Sequence, residues 1–335
     1  MPHRELAGVV RAALCEVRAA TAAEWDAAYA ACSASTYSLS RAWAEDWSLY
    51  AGGRTRPAPT LLRFGDGLSV VVPLSSERRR FSRRFLASPA GMYGGWLSVE
   101  PLGRERTLAV SKWLAQSRLP LWWRINPFDA HSADLASLAT EGDITHVIRL
   151  APGFDDVCRR AGHGHRCAVR KAKKSGVVVR CARNAEDWAE YYKIYLDSLR
   201  RWGDAATSRY DAPLFESLRR RGDDTVRLWL ATADERLTIA GGICLYAPRH
   251  VTYWHAAARS EYFFLRPANL LVYEMVKDAF DRGLEWFDMN PDGGHEGVRV
   301  FKERVGAEEL PSPVVVLGRR GSGAEGHARR CGAGS

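Results

Sequence analysis

The chain lacks most of the marks by which common protein classes announce themselves. Its seven cysteines, at 15, 32, 158, 167, 181, 244 and 331, are odd in number and form no CxxC pair. That excludes a closed disulfide framework and a zinc ribbon, and it points to a reduced, cytoplasmic setting. No run of about eighteen apolar residues occurs, so no membrane-spanning helix is expected. The apolar stretch before Arg11 is only LAGVV, too short for the core of a signal peptide. HExxH and the Walker phosphate loop are also missing. No metal and no redox cofactor are expected.

What is present is a folded, basic chain. Its 335 residues suffice for two ordinary domains with full cores. Twelve tryptophans and 46% hydrophobic residues argue against disorder. The formal net charge of +9 suits an acidic partner such as nucleic acid, a nucleotide-linked substrate or an anionic surface. The densest charge lies between Arg159 and Arg183, where Arg170, Lys171, Lys173 and Lys174 fall within five residues. Such a run either solvates a helix or neutralises phosphates and gives salt-dependent RNA binding.

Periodicity shows one pattern used twice. In the first copy, helices are expected at 22–31, 41–50 and 104–116. Strands are expected at 59–64, 68–74, 85–96, 120–126 and 145–150. In the second, helices are expected at 185–201, 212–221 and 267–282, and strands at 225–231, 237–246, 250–257, 284–288 and 313–317. Turn residues Asp234-Glu235-Arg236 and Pro248-Arg249 link its first three strands. Pro267 fits the first turn of the helix that follows, and Gly283 fits just past its end. Hairpin-linked strands, a crossover helix and a parallel return strand define a mixed sheet. The expected fold class is therefore α/β (α+β), two tandem domains, each with a mixed, mostly antiparallel sheet flanked by helices. The division runs 1–154 for the first domain, 155–318 for a helical bridge (155–174) and the second domain, and 319–335 for a disordered Gly/Ala/Ser-rich tail.

The most telling stretch is 284–308, LEWFDMNPDGGHEGVRVFKERVGAE. An apolar run ends at Asp288, a polar glycine-rich loop follows, and then comes the pair Phe301-Lys302. With the duplicated order of elements, this end resembles the FemAB-like branch of the GNAT superfamily. The resemblance covers most of residues 20–317 and implies amide-bond formation by acyl transfer. It further implies that the strands at 250–258 and 284–290 splay apart to admit the acyl group, centring the site near Tyr253, His255, Asp288 and Asn290. Lys302 would offset charge developing on oxygen during aminolysis of an ester. His255 and Asp288 are general acid or base candidates; the alternatives are a packed core histidine and an Asx turn into Pro291. Phe301 is either a donor contact or core.

Acetyl-CoA-dependent GNAT enzymes carry a glycine-containing loop whose amides hold the pyrophosphate. Here that place reads Arg266-Pro267-Ala268-Asn269. The arginine is kept and both glycines are absent, which counts against coenzyme A and leaves Arg266 and Asn269 as donor contacts. Arg170, Lys173 and Lys174 would meet the RNA of an aminoacyl-tRNA donor. In the first copy, Tyr37, Trp43 and Tyr93, with Arg83 and Arg84, are acceptor contacts by the same resemblance, a core role being the alternative for Trp43. Tyr93 stands beside Gly94-Gly95, where a ligand could approach the backbone closely.

Three functions follow. The first is an aminoacyltransferase that uses aminoacyl-tRNA as co-substrate and acylates an amine of a peptide, cell-wall precursor or specialised metabolite. The second keeps the fold and uses acyl-CoA. The third is a non-catalytic RNA-binding module.

Overall fold

The computed structural model describes residues 12–318, apart from 118, 207, 223, 235 and 236. The segment LAGVV, two residues of the 234–236 turn and the tail from 319 lie outside the described residues. No helix among them is long and apolar enough to cross a membrane. The chain forms two compact units. The first runs up to Ile144 and takes back the stretch from Pro311; the second runs from Thr145 to Leu310.

In the first unit, the helices Ala22–Ala31 and Arg41–Tyr50 have the expected bounds. Thr21 and Glu24 close a capping box on one, and Ser40 caps the other by accepting from Trp43 N. A three-stranded antiparallel sheet joins Leu14–Ala19, Thr60–Phe64 and Ser69–Val72. A second sheet runs in the order Val314–Leu317, Leu121–Ile125, Arg83–Leu86, Ser75–Arg78, Thr55–Pro57. The single strand expected over 85–96 is broken. Pro89–Gly91 makes a 3-10 turn, and Ala90 and Gly91 adopt φ of 60° and 69°, which no strand accommodates.

The second unit holds the elements that position the site. In chain order they are β1 (Ile144–Arg149), α1 (Phe154–Arg160), α2 (His163–Lys174), β2 (Val178–Cys181), α3 (Ala185–Trp202) and α4 (Ala212–Arg219). After them come β3 (Val226–Ala233), β4 (Leu237–Tyr246), β5 (His250–Ala258), α5 (Pro267–Asp281), β6 (Trp286–Asp288), α6 (Glu296–Arg304) and β7 (Glu308–Pro311). The sheet order is β2-β3-β4-β5-β6-β1-β7. Strands β2 to β5 are antiparallel neighbours. β5 and β6 are parallel, with α5 as the crossover. α5 buries Leu270, Leu271, Met275, Val276 and Ala279 in a core shared with Trp229, Cys244, Val251 and Phe287. α3 packs on β4 and β5. It is capped by Asn184, which accepts from Asp187 N, and it ends at Gly203 with φ of 52°.

Two strands belong to sheets other than those their sequence positions suggest. The strand at 144–149, expected as the last of the first copy, pairs instead with β6, Ile148 opposite Phe287. The strand at 314–317 pairs with Leu121–Ile125 of the first unit. The return strand β6 has only three residues. With β5 on one edge, it needs a partner on the other to satisfy its backbone, and β1 supplies it.

Candidate functional site

The site is built where β5 and β6 separate. Their ladder holds for three pairs only: His250 with Trp286, Val251 with Phe287 and Thr252 with Asp288. β5 continues to Ala258, whereas the chain after β6 turns away through Asn290, a non-glycine residue at φ 60°. Asn290 bridges the opening, its Nδ2 donating to Tyr253 O at 3.2 Å. On the other edge of β5, the register against β4 slips between Ile243 and Cys244, which pair with His255 and Tyr253. Trp254 is the extra residue of this β-bulge. The bulge also corrects the alternation expected of a regular strand, in which Tyr253 and His255 share a face. Tyr253 packs towards Phe287 on the α5 side. His255 lies among Tyr195, Phe215 and Tyr191, rings carried by α3 and α4.

Lys302 comes to the mouth of this opening. The sequence reading gives a loop over 290–297 with the Phe-Lys pair after it; in the structure Glu296–Arg304 is the helix α6. Lys302 is its one buried residue, 4% exposed, and Nζ donates to Asn290 O at 2.5 Å. Burial lowers the ammonium's pKa to about 8, against the opposing charges of Asp288 and Asp292, which favour protonation. Phe301, its neighbour, packs against the core.

Asp288 is fully buried. Its Oδ1 accepts from Asn290 N at 2.9 Å and from Thr145 Oγ1 at 3.1 Å, and its Oδ2 lies 3.6 Å from His250 Nε2. It therefore fixes the left-handed turn at Asn290, which in turn receives Lys302. The Asx geometry anticipated as the alternative for Asp288 is present, and it serves Asn290. Thr145 and His250 were not among the residues that the sequence singled out. Nor was His146, fully buried on β1, whose pKa falls through burial first and the charge of Lys302 second.

The remaining residues divide clearly. His255 accepts from or donates to Tyr191 Oη through Nδ1 at 2.6 Å. Burial lowers its pKa to about 3, so the ring is neutral and weakly basic near pH 7. Arg266 is exposed at the head of α5 with φ 61°. Asn269 reaches His165 of α2, Nδ2 to Nδ1 at 3.0 Å. On α2, Lys173 pairs with Glu274 at 2.9 Å and stacks on Tyr273, its Nζ 4.4 Å from the ring centre; Arg170 and Lys174 are exposed. In the first unit, Tyr37, Trp43 and Tyr93 are 2%, 0% and 1% exposed. They pack in pairs of rings, Tyr37 with Trp43 and Tyr93 with Phe128. The structure thus gives these three aromatics the core role, because ring stacking has consumed the surface a ligand would need. Arg84 is half-buried against Glu77 at 2.5 Å, and Arg83 is exposed.

Comparison with known proteins bears on the fold. Residues 159–303 match the family model described as Acetyltransferase (GNAT) domain. A search of curated proteins gives no match. Among solved structures, FemX superimposes with a TM-score of 0.68 at 14% identity, covering 91% of this chain and 98% of that one. L-PGS from Bacillus licheniformis gives a TM-score of 0.52 at 10% identity, over 83% of this chain and 87% of that one. A conserved protein of unknown function from Bacteroides thetaiotaomicron VPI-5482 gives 0.56 at 10% identity, over 90% and 99%. The second unit is accordingly a GNAT domain, with the acyltransferase fold of that superfamily. The chain as a whole shares its fold with FemX and L-PGS.

Proposed function

We propose that this protein is an aminoacyltransferase. It moves an aminoacyl group from the ester of an aminoacyl-tRNA to an amine of a peptide, cell-wall precursor or specialised metabolite. The observation that carries the reading is Lys302, an ammonium withdrawn from water at the point where β5 and β6 part. Aminolysis forms a bond from the amine nitrogen to the ester carbonyl carbon, places negative charge on the carbonyl oxygen, then breaks the carbon–oxygen bond to the ribose. The proton lost by the amine leaves with the ribose oxygen. A fixed cation beside the carbonyl oxygen lowers the barrier to charge build-up, by roughly 3–4 kcal/mol where one such donor has been removed from other enzymes. Asp288 and Asn290 act as positioning residues for this cation. The exposed bases of α2, Arg170, Lys173 and Lys174, suit the phosphates of an RNA donor.

The head of α5 argues against coenzyme A. Pro267 has no N–H, and the amides of Arg266, Asn269 and Leu270 are directed to Phe263 O, Arg266 O and Arg266 O. Few donors are left to surround a pyrophosphate. The second reading, acyl-CoA as donor, is favoured by the family model's description as an acetyltransferase. Incubation with radiolabelled aminoacyl-tRNAs and with acyl-CoAs, each with a panel of amines, separates the two. Product from aminoacyl-tRNA that Lys302→Met abolishes supports the proposal; product from acyl-CoA alone overturns it. Binding of RNA with no turnover of either donor would favour a non-catalytic module.

A further inference from the structure

On the α5 side of the second unit lies a cavity of about 350 Å³ between α1, α2 and α5. That is within the range of about 300–1,000 Å³ typical of small-molecule sites. Its walls include Ile148, Val157, Val169, Val272, Val276 and Val305. Three cations of α2 border it: Arg166, Arg170 and Lys173. They stand at i, i+4 and i+7, a spacing that puts them on one face of the helix. Arg170 and Lys173 are also RNA contacts in the reading above, whereas Lys174, the third, does not line the cavity. Arg166 donates to the Ala161 and Arg159 carbonyls, and Arg170 donates to Cys167 Sγ at 3.4 Å. One carboxylate, Glu274, faces Lys173.

We infer that this cavity binds the aliphatic chain of a single-chain fatty carboxylate, with the carboxylate at the arginines. Two features select that chemistry. Six of the fourteen lining residues are branched aliphatic, and Ala161 and the rings of Phe154 and Tyr273 extend the apolar wall. His165 is engaged with Asn269, and Cys158 is a neutral thiol held up by burial. A nucleobase would leave its hydrogen-bonding edge unmatched there, whereas a methylene chain needs only apolar contact. The mouth is cationic, which suits an anionic head and repels an amine. The volume holds about ten methylenes if each takes the ~30 Å³ of a water in the liquid.

The test uses the full chain, with decanoate and its shorter homologues as probes and decylamine as the charge control. Calorimetry is expected to show saturable binding of one decanoate, tightening about fourfold per methylene from hexanoate upward, and no binding of decylamine. Arg170→Glu is expected to weaken decanoate about three- to tenfold. Peptide-resolved alkylation locates the site without any variant: decanoate is expected to protect Cys158, a wall residue, and to leave exposed Cys15 unchanged. Val169→Trp, which fills the cavity, is expected to abolish binding. Equal binding of decylamine, affinity independent of chain length, or unaltered labelling of Cys158 at saturation would each overturn the inference.

Discussion

Replacing Lys302 by methionine is expected to stabilise the second unit near neutral pH, and the size of the gain follows from the structure. Burial lowers the lysine from 10.5 to about 8 in the folded state. Between those values the unfolded chain binds more protons than the folded one, so wild-type stability rises with pH across the window. That difference is worth about 3 kcal/mol at pH 7, present as destabilisation of the wild type, and little more than about 1 kcal/mol remains at pH 9.5. Methionine removes this penalty while keeping an apolar stem of similar length. It also loses the hydrogen bond to Asn290 O, a debit of about 1 kcal/mol at either pH. The net expectation is a gain of about 2 kcal/mol at pH 7 that shrinks to a few tenths at pH 9.5. A urea titration at both pH values measures it. Cleavage within 284–305 during a short protease pulse follows the second unit's transition separately from the first. A variant less stable than wild type at pH 7, or a difference that does not change with pH, would refute the claim that an ammonium is held there against its solvation.

Other consequences are open to direct measurement. Under the proposed chemistry, the same Lys302→Met variant loses about 10²- to 10³-fold in kcat, and wild-type activity falls as pH rises through about 8, where the ammonium is lost; a rate that climbs through that range would contradict a role for the charged form. His255→Phe is expected to make the protein more acid-resistant. The folded pKa of about 3 lies below the usual 6.5, so wild-type stability declines as pH falls below 6.5, and thermal melts at pH 7 and pH 5 should show the variant losing less than wild type. Gly242→Ala is expected to cost about 1–3 kcal/mol, because its Cβ would meet Tyr253 Cε2 at 2.4 Å; an unchanged melting temperature would show that Tyr253 moves freely. Asn290→Ala is expected to lose activity and about 1–3 kcal/mol of stability through strain at φ 60° and the lost bond to Tyr253 O, and Asn290→Gly, which keeps the left-handed turn at no steric cost, should retain more of both than alanine does.

Much of the fold was legible because helix ends and strand periods are local properties. The helices at 22–31 and 41–50 and the Pro267 start give boundaries that the structure reproduces. The helix Glu296–Arg304 was not, since Gly293, Gly294 and Gly297 dilute its apolar periodicity and its buried face amounts to one lysine. The exchange of 144–149 and 314–317 between sheets was equally hidden. Both are short strands whose partners are set by which edge is left open, a tertiary matter on which neither sequence is informative. For the site, the Phe-Lys pair drew attention to Lys302, but core aromatics and ligand-binding aromatics have the same composition, so Tyr37, Trp43 and Tyr93 could not be told apart from surface residues. One signal was available and passed over. Two adjacent glycines inside β4, Gly241 and Gly242, mark close approach of neighbouring groups, and their missing side chains admit Tyr191 on one face and Tyr253 on the other.

The arrangement around Asn290 has a logic that stability alone does not supply. A fully buried carboxylate, a buried ammonium and a non-glycine residue at φ 60° each carry a free-energy penalty. Here the three are coupled. Asp288 accepts from the Asn290 amide, Asn290 O accepts from Lys302, and Asn290 Nδ2 holds the edge of β5 at Tyr253 O. Each group satisfies a partner that would otherwise be unmatched, and together they keep β5 and β6 from zipping beyond Thr252 and Asp288. A hydrophobic replacement of the charged pair would make a more stable sheet and a closed one. Charge at this spot suits a cleft between two strands, and under the proposed chemistry it ties the strain at Asn290 to the opening through which an acyl donor would reach Lys302.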